Sequence, residues 1–285
     1  MNYRHAFHAG NHADVLKHIV LLALVDALKQ KEAPFFALDT HAGRGRYLLG
    51  ATESRKTGEA DAGILKLMGQ PTMPEVVERY LRAVEANNPV GALVAYPGSP
   101  LLIAQAMRAQ DRLAACELQP DEAAALKELF AGDARVAVHA RDGYAAMKAM
   151  LPPRIGELRY ARGLVLVDPP YERAEEYSEA ARALIMACRR WPVGVYALWY
   201  PLLAAGRYRA MLDAIAEARP GPMLVAELLR CPEDTPAGLN GSGLCIINPP
   251  WRLEQALDTL QPWLLEHLAP GQGGACRLRW AIPDA

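Results

Sequence analysis

The sequence predicts an α/β fold built on a mainly parallel sheet, and three observations support this prediction. Short apolar runs rich in β-branched residues, such as 163–167, alternate with longer segments of helical periodicity. These runs are continuous rather than alternating, which is typical of strands buried on both faces of a sheet. Most of them lead into a helical segment, so right-handed crossovers are the expected connections.

The composition is that of a globular protein. The chain has 285 residues, of which 52% are hydrophobic and 22% charged, and we treat 1–285 as a single domain. It has no run of eighteen apolar residues and no apolar segment at Met1 of the signal-peptide kind, so a cytoplasmic location is expected. Five widely spaced cysteines indicate free thiols. A net charge of -1 argues against coating nucleic acid by charge alone but allows a local basic patch.

Four of the seven histidines lie within the first eighteen residues. His8 and His12 are spaced to share a helix face, which raises the possibility of a metal site. No H-E-x-x-H or cysteine pattern accompanies them, so contact with a ligand or RNA is favoured. The apolar spacing that follows predicts an amphipathic helix over 13–29, with Asp14 in its first turn.

The predicted strand 35–38 leads directly into a glycine-rich turn, Asp39-Thr40-His41-Ala42-Gly43-Arg44-Gly45. Glycine tolerates positive φ and lets the backbone approach a ligand closely. A lone G-x-G is a weak signal. The arrangement acid-x-x-x-G-x-G after a strand resembles the first motif of class I S-adenosylmethionine methyltransferases more than the three-glycine dinucleotide fingerprint.

The spacing after this turn indicates an insertion. An acidic residue that binds ribose hydroxyls is expected about 20 residues beyond the glycine loop. The best candidate is Glu117, which follows the predicted strand 113–116 and comes far later. We therefore predict an inserted helical subdomain at 48–96, with helices over 59–68 and 74–86.

Two further features lie at or near the ends of the insert. Ser99 and Pro100 are the expected N-cap and first residue of a helix over 101–110. Basic residues near its base form either a phosphate-binding patch or a solvated charged face: Arg44, Arg46, Arg55 and Lys56.

Two later strands are followed by an aspartate. Asp142 and Gly143 follow the strand 136–139, where Asp142 either accepts a hydrogen bond from an adenine amine or caps the helix through 150. Asp168-Pro169-Pro170-Tyr171 follows the strand 163–167 at the edge where open α/β sheets bind ligands.

The second of these turns has a distinctive surface. Its prolines remove two backbone donors and leave free carbonyls beside the Asp168 carboxylate, while Tyr171 adds a flat ring. The complement of such an acceptor surface is a planar ring with an exocyclic amine. The alternative is an ordinary turn in which Asp168 caps a helix that begins near Glu172.

The tail differs in character. A strand over 193–201 follows a helix over 175–189, and the runs 223–229 and 244–247 predict a hairpin. A helix over 253–267 and a strand over 275–282 complete the chain. Asn248-Pro249-Pro250-Trp251 repeats the earlier motif, and we expect it to form another wall of the same pocket, where Trp251 either stacks on a base or packs under the final helix.

With the segments 3–18, 38–43 and 198–201, these motifs closely resemble the ribosomal large-subunit RNA methyltransferase J family over essentially the whole chain. The resemblance implies a Rossmann-like class I methyltransferase sheet with an inserted helical subdomain, and a tail that closes over the cofactor. It implies S-adenosylmethionine as cofactor, 23S rRNA as partner and N6 of one adenine as the methylated atom. Substrate RNA would contact Tyr3 and Arg4, and the cofactor would lie against Lys17, His18, His41, Gly43, Ser99, Glu117, Asp142, Gly143 and Asp168.

Chemistry supports the same role for the Asp168 turn. Hydrogen bonds from an adenine amine to the Asp168 carboxylate and the Pro169 carbonyl would localise the nitrogen lone pair, and Tyr171 would stack on the flipped base. The cofactor carries the reactive group, so no metal is needed, and we expect neither a membrane nor a second copy of the chain. A DNA adenine methyltransferase, a protein-glutamine methyltransferase and a non-catalytic RNA-binding factor stay open as alternatives.

Overall fold

The computed structural model describes residues 8–49, 59–236, 238–271 and 273–284. Strands and helices alternate along most of this part of the chain, as the sequence predicts. The strands are β1 (Phe36–Asp39), β2 (Arg46–Leu48), β3 (Ala95–Pro97), β4 (Arg112–Glu117), β5 (Val136–Ala140), β6 (Arg154–Ile155), β7 (Leu158–Arg159), β8 (Gly163–Val167), β9 (Val195–Leu202), β10 (Met223–Leu229), β11 (Gly241–Ile247) and β12 (Ala275–Ile282). The helices are α1 (His12–Lys29), α2 (Ile64–Leu67), α3 (Glu75–Glu85), α4 (Ser99–Ala106), α5 (Pro120–Leu129), α6 (Gly143–Met150), α7 (Glu175–Arg190), α8 (Tyr208–Ala218) and α9 (Leu253–Leu268).

Eight of these strands form one sheet in the order β5-β4-β1-β8-β9-β11-β10-β12. The first five run parallel to one another. In contrast, β11 is antiparallel to both β9 and β10, and β12 is antiparallel to β10. The strand order reverses between β1 and β8, which makes their carboxyl ends the topological switch point where such sheets bind ligands. The predicted α/β class and Rossmann-like sheet are confirmed.

Helices cover both faces of this sheet. Side chains of α1, α3, α4 and α9 form one apolar cluster, and those of α6, α7 and α8 form the other. All residues of β1 and β8 are buried between the two layers, which explains their continuous apolar sequences. None of the helices within the described ranges is long and apolar enough to cross a membrane.

The first helix is more deeply buried than its sequence suggests. A predicted amphipathic helix exposes one face, but most residues of α1 are buried, including polar ones such as Lys17 and His18. The reason is that α3, α4 and α9 pack against α1, which also lies against β11 of the sheet. The polar face of α1 is therefore enclosed within the molecule, where it can line a site.

The segment between β2 and β3 contains the two predicted helices. Its ends are brought together because β2 pairs antiparallel with β3, so that Arg46 lies opposite Pro97. The second helix, α3, matches the predicted 74–86 closely, whereas the first is reduced to the four residues of α2. Residues 50–58, with Arg55 and Lys56, lie outside the described residues, and the subdomain division at 48–96 stays a prediction.

Candidate active site

A cavity of about 810 Å³ opens at the carboxyl edge of the parallel strands, over the switch point between β1 and β8. Most of the residues that the sequence singles out line it, although they come from distant parts of the chain. Tyr3 and Arg4 lie outside the described residues, and Trp251 lies elsewhere. The lining includes Lys17, His18, His41, Gly43, Ser99, Glu117, Asp142, Gly143, Asp168, Pro169 and Tyr171.

A buried ion pair occupies the floor of this cavity. Lys17 Nζ lies 2.6 Å from Asp168 Oδ2 and 2.9 Å from Asp14 Oδ1, and the lysine side chain is only 4% exposed. Burial alone would lower the pKa of Lys17, but the carboxylates of Asp14 and Asp168 outweigh it, so the pKa is raised and the amine is a cation. The other oxygen, Asp168 Oδ1, accepts no hydrogen bond from the described residues and is available to a ligand.

The turn after β8 is rigid and does not start a helix. The next helix, α7, begins at Glu175 and has Ala174 as its N-cap, so the alternative in which Asp168 caps a helix near Glu172 is wrong. Among the described residues, none donates a hydrogen bond to the Pro169 carbonyl. Both residues line the cavity, so Asp168 Oδ1 and this carbonyl are two neighbouring acceptors that have no donor among the described residues.

Tyr171 is held firmly at the end of this turn. Its φ of 53° lies in the left-handed region, which bulky residues rarely adopt. The hydroxyl donates to the Trp199 carbonyl at 2.8 Å, and the ring lies 4.4 Å from that of Tyr177, between centroids. The ring is buried, with 8% exposure. It lines the cavity in a fixed orientation, and its stacking on a base stays a prediction.

The carboxyl end of β1 carries a second buried acid. Asp39 is completely buried, and desolvation raises its pKa to about 7, with Asp168 adding to the effect. Ser99 Oγ donates to Asp39 Oδ2 at 2.7 Å. The prediction that Ser99 caps the following helix is wrong: α4 begins at Ser99 with Gly98 as its N-cap, because the hydroxyl is bound to Asp39 instead.

His41 presents an acceptor to the cavity. Thr40 Oγ1 donates to the Leu166 carbonyl at 2.9 Å, so its contact of 2.7 Å with His41 Nδ1 is one in which the ring nitrogen donates. Desolvation lowers the pKa of the imidazole to about 4, so it is neutral near pH 7. The proton therefore lies on Nδ1, and Nε2 keeps its lone pair.

The glycine turn and the end of β4 form one unit. Gly43 has a φ of +59°, and its N–H donates to Glu117 Oε2 at 2.9 Å. The N–H of Gln119 donates to Oε1 at 2.7 Å. Desolvation raises the pKa of Glu117, while these two donors oppose the effect. The Glu117 carboxylate is thus fixed at the cavity wall with lone pairs left for hydroxyl donors.

Asp142 begins α6 at the end of β5. Its Oδ1 accepts from the Ala145 N–H at 2.7 Å, so the alternative in which Asp142 caps the helix is confirmed, while Oδ2 has no donor among the described residues. The next residue must be glycine, because a Cβ on Gly143 would lie 2.1 Å from the Thr40 carbonyl oxygen. This close approach joins the turns after β1 and β5.

Two features of the site could not be read from the sequence. His18 Nδ1 lies 2.8 Å from Tyr96 Oη, which in turn lies 2.9 Å from Tyr80 Oη, so a buried chain of polar groups connects α1 to the segment after β2. Glu59 binds His8 Nδ1 and Asn11 Nδ2, each at 2.8 Å. Nothing in the local pattern around Glu59, Tyr80 or Tyr96 indicates these distant partners.

The second proline motif lies at the opposite edge of the sheet. Because β11 is antiparallel to β9, its last residue Ile247 pairs with Tyr196 near the start of β9. Asn248 follows there, and its Nδ2 donates to two carbonyls of the loop before β9, both at 2.8 Å. Trp251 is 80% exposed and lies 3.9 Å beneath the Arg252 guanidinium. The expectation that this turn forms another wall of the same pocket is therefore wrong.

The chain is similar to known proteins over its whole length. A family model described as "Ribosomal RNA large subunit methyltransferase D, RlmJ" matches residues 32–282. Proteins named Ribosomal RNA large subunit methyltransferase J from Escherichia coli K12 and Haemophilus influenzae are 39% and 40% identical, each with 100% of both chains covered. A crystal structure of a Legionella pneumophila protein has a TM-score of 0.88 and 33% identity, covering 98% of this chain and 100% of that one.

Proposed function

We propose that this chain transfers a methyl group from S-adenosylmethionine to N6 of one adenine in 23S rRNA. The chain belongs to the family described as Ribosomal RNA large subunit methyltransferase D, RlmJ. The observation that carries the proposal is the acceptor surface of Asp168 Oδ1 and the Pro169 carbonyl, which faces a large cavity at the switch point of the sheet. Two acceptors side by side complement a group with two N–H donors, such as an exocyclic amine.

The residues on the cofactor side of the cavity fit S-adenosylmethionine. Glu117 offers a fixed carboxylate to the two ribose hydroxyls, and Asp142 Oδ2 offers an acceptor to the adenine amine. The neutral His41 adds an acceptor without adding a positive charge, which suits a cationic sulfonium. When bound, the cofactor supplies an electrophilic methyl group on that sulfonium, and the chemistry needs no metal.

Asp168 and Pro169 would orient the methyl acceptor. The lone pair of adenine N6 is delocalised into the ring, which makes the amine a poor nucleophile. When its two N–H groups donate to Asp168 Oδ1 and the Pro169 carbonyl, the lone pair is left facing the methyl group, and geometry supplies much of the rate. The amine must lose one proton as it gains the methyl group, and the Asp168 carboxylate lies within hydrogen-bond reach to accept it.

Lys17 would position this carboxylate rather than react. Its ammonium binds Asp168 Oδ2 at 2.6 Å, which restrains the carboxylate and leaves Oδ1 for the substrate. The target base must leave its stack to reach the turn, where Tyr171 would contact its face. Tyr3 and Arg4, outside the described residues, remain proposed contacts with the RNA.

The competing enzyme classes fit this geometry less well. Protein-glutamine methyltransferases typically use an asparagine in this motif, and the candidate that the sequence offers, Asn248, lies at the opposite edge of the sheet with both amide hydrogens bound to backbone carbonyls. A non-catalytic RNA-binding factor does not need a carboxylate at the switch point that has one oxygen bound to a lysine and the other left for a ligand. A DNA adenine methyltransferase would use the same turn, so a substrate experiment must separate it.

The test uses unmodified substrates. The protein is incubated with methyl-labelled S-adenosylmethionine and either 23S rRNA transcribed in vitro or duplex DNA, and the products are digested to nucleosides and identified by mass spectrometry. We expect N6-methyladenosine at one position of the 23S transcript. Transfer to duplex DNA alone would overturn the substrate assignment, and the absence of transfer to either would overturn the enzymatic one.

A further inference from the structure

The cations that line the cavity are not equivalent. Lys17, Arg44 and Arg173 each lie within ion-pair distance of at least one carboxylate. Arg230 also lines the cavity and is half-buried, but no carboxylate among the described residues lies within ion-pair distance of it. An arginine that is partly withdrawn from water and has no acidic partner is ready to bind an anion from outside the chain.

A buried histidine orients this arginine. Arg230 Nη1 lies 3.4 Å from His12 Nδ1. Because a guanidinium can only donate, His12 Nδ1 must be the acceptor, and the ring proton lies on Nε2. His12 is 2% exposed, and desolvation together with Arg230 lowers its pKa to about 3, so it is neutral. Its Nε2–H is buried and has no partner among the described residues.

The position of Arg230 separates it from the proposed cofactor residues. It follows β10, which runs parallel to β8 and β9, and therefore emerges at the same edge as Asp168. Neighbouring strands lie about 4.8 Å apart, so β8 and β10, three positions apart in the sheet, are separated by about 14 Å across it. The register also places the end of β10 level with Leu202, four residues beyond Leu198, the partner of Val167 at the end of β8. Glu117 and Asp142 lie on the other side of β8, at the ends of β4 and β5.

We propose that Arg230, oriented by His12, binds a phosphate of the RNA backbone that flanks the target adenosine. The inference rests on the proposed function, because it names a contact for the same substrate in the same cavity. Phosphate is the expected anion because a guanidinium binds two of its oxygens in parallel, and because a cavity lined by many carboxylates needs a cation where the RNA backbone passes. His12 is a positioning residue that acts through Arg230.

The first experiment removes the charge. Arg230→Gln and Arg154→Gln are compared with the wild-type protein in methyl transfer to a 23S rRNA fragment at several salt concentrations. Arg154 is the matched control because it lies in the β6–β7 hairpin that precedes the amino end of β8. We expect Arg230→Gln to raise KM for the RNA about tenfold, since a charged hydrogen bond is lost. The slope of log KM against log salt should fall by about 0.7, the value for one single-strand phosphate contact.

The second experiment removes the phosphate charge. Two synthetic RNAs carry one neutral methylphosphonate linkage each, on the 5′ or the 3′ side of the target adenosine. The one whose linkage Arg230 contacts should raise KM for the wild-type protein as much as Arg230→Gln does. Arg230→Gln should be insensitive to the linkage that Arg230 contacts.

The third experiment changes the residue that orients Arg230. His12→Phe, which removes the acceptor, should raise KM for RNA. His12→Asn, which keeps an acceptor near the position of Nδ1, should restore it. The double variant His12→Phe/Arg230→Gln should be no worse than Arg230→Gln alone.

Several outcomes would overturn the proposal. If Arg230→Gln had the same KM and salt slope as the wild-type protein, Arg230 would not contact a phosphate. The proposed function would still hold as long as the wild-type protein methylates 23S rRNA. Weaker binding of S-adenosylmethionine to Arg230→Gln, measured by calorimetry, would assign the arginine to the cofactor carboxylate instead. If the wild-type protein transferred no methyl group to 23S rRNA, the proposed function itself would fail and this inference with it.

Discussion

The buried carboxyl group of Asp39 should make the stability of the protein fall as pH rises toward neutrality. Its pKa is about 7 in the folded protein against 3.8 for the unperturbed group. Between these two values the unfolded chain has released a proton that the folded chain keeps, so raising the pH favours unfolding. The pKa difference of about 3 corresponds to about 4 kcal/mol of destabilisation at alkaline pH, and Asp39 has no exposure that would screen it.

Asp39→Asn should abolish this dependence while keeping an oxygen for the Ser99 hydroxyl. We expect the free energy of unfolding of the variant, relative to wild type, to increase by about 2–3 kcal/mol between pH about 5 and about 8. The difference cancels the contributions of other titrating groups, such as His41. The assay is urea unfolding at a series of pH values with a shared m-value. Parallel curves for the two proteins, with a constant offset, would refute the assignment of a raised pKa to Asp39.

Three further substitutions test other parts of the structure. Lys17→Met leaves buried carboxylates without their cation and should lower the free energy of unfolding by about 3–5 kcal/mol, with partial recovery in Lys17→Met/Asp168→Asn, as measured by denaturant titration; full stability of the single variant would contradict the ion pair. Gly143→Ala should lower it by about 1–3 kcal/mol because the new Cβ meets a backbone oxygen at 2.1 Å, whereas Gly132→Ala, where a Cβ meets nothing within 4 Å, should not; equal effects would argue against the close approach. Trp251→Ala should leave the transfer rate at saturating RNA unchanged, because the side chain lies at the other edge of the sheet; a large loss of rate would return this turn to the site.

Much of the site follows from one property of parallel sheets. Asp39, Glu117, Asp142 and Asp168 each lie within three residues of the end of a predicted strand, and the carboxyl ends of parallel strands meet at one edge. The sequence therefore locates these four side chains without any knowledge of their contacts. The order of the strands, and hence which pair forms the switch point, came from the structure.

A sequence motif alone does not show at which edge of the sheet it lies, because this depends on the direction of its strand. Asp168-Pro169-Pro170-Tyr171 and Asn248-Pro249-Pro250-Trp251 read almost alike, yet they lie at opposite edges because β11 runs against β9. The predicted hairpin already implied this reversal, so the two predictions were inconsistent with each other. A motif can be placed only after the direction of its strand is fixed.

Long-range polar pairs are invisible in the local pattern for a different reason. Lys17 and Asp168 are 151 residues apart and meet only because α1 is enclosed between the sheet and the helices after β2. The same enclosure turns His18 and Tyr96 into buried partners. Helical periodicity predicts one buried face for α1. The burial of its polar face depends on the helices after β2, which the pattern of α1 cannot predict.

The role of Asp168 in orienting the adenine amine can be measured as the rate of methyl transfer by Asp168→Asn. The variant keeps the size of the side chain and one acceptor oxygen but loses the carboxylate that orients the amine and accepts its proton. In single-turnover reactions with saturating S-adenosylmethionine and unmodified 23S rRNA, we predict a transfer rate about a hundredfold or more below wild type. Cofactor binding, measured by calorimetry, should persist. If the variant methylated the same adenine at the wild-type rate, Asp168 would not have this role.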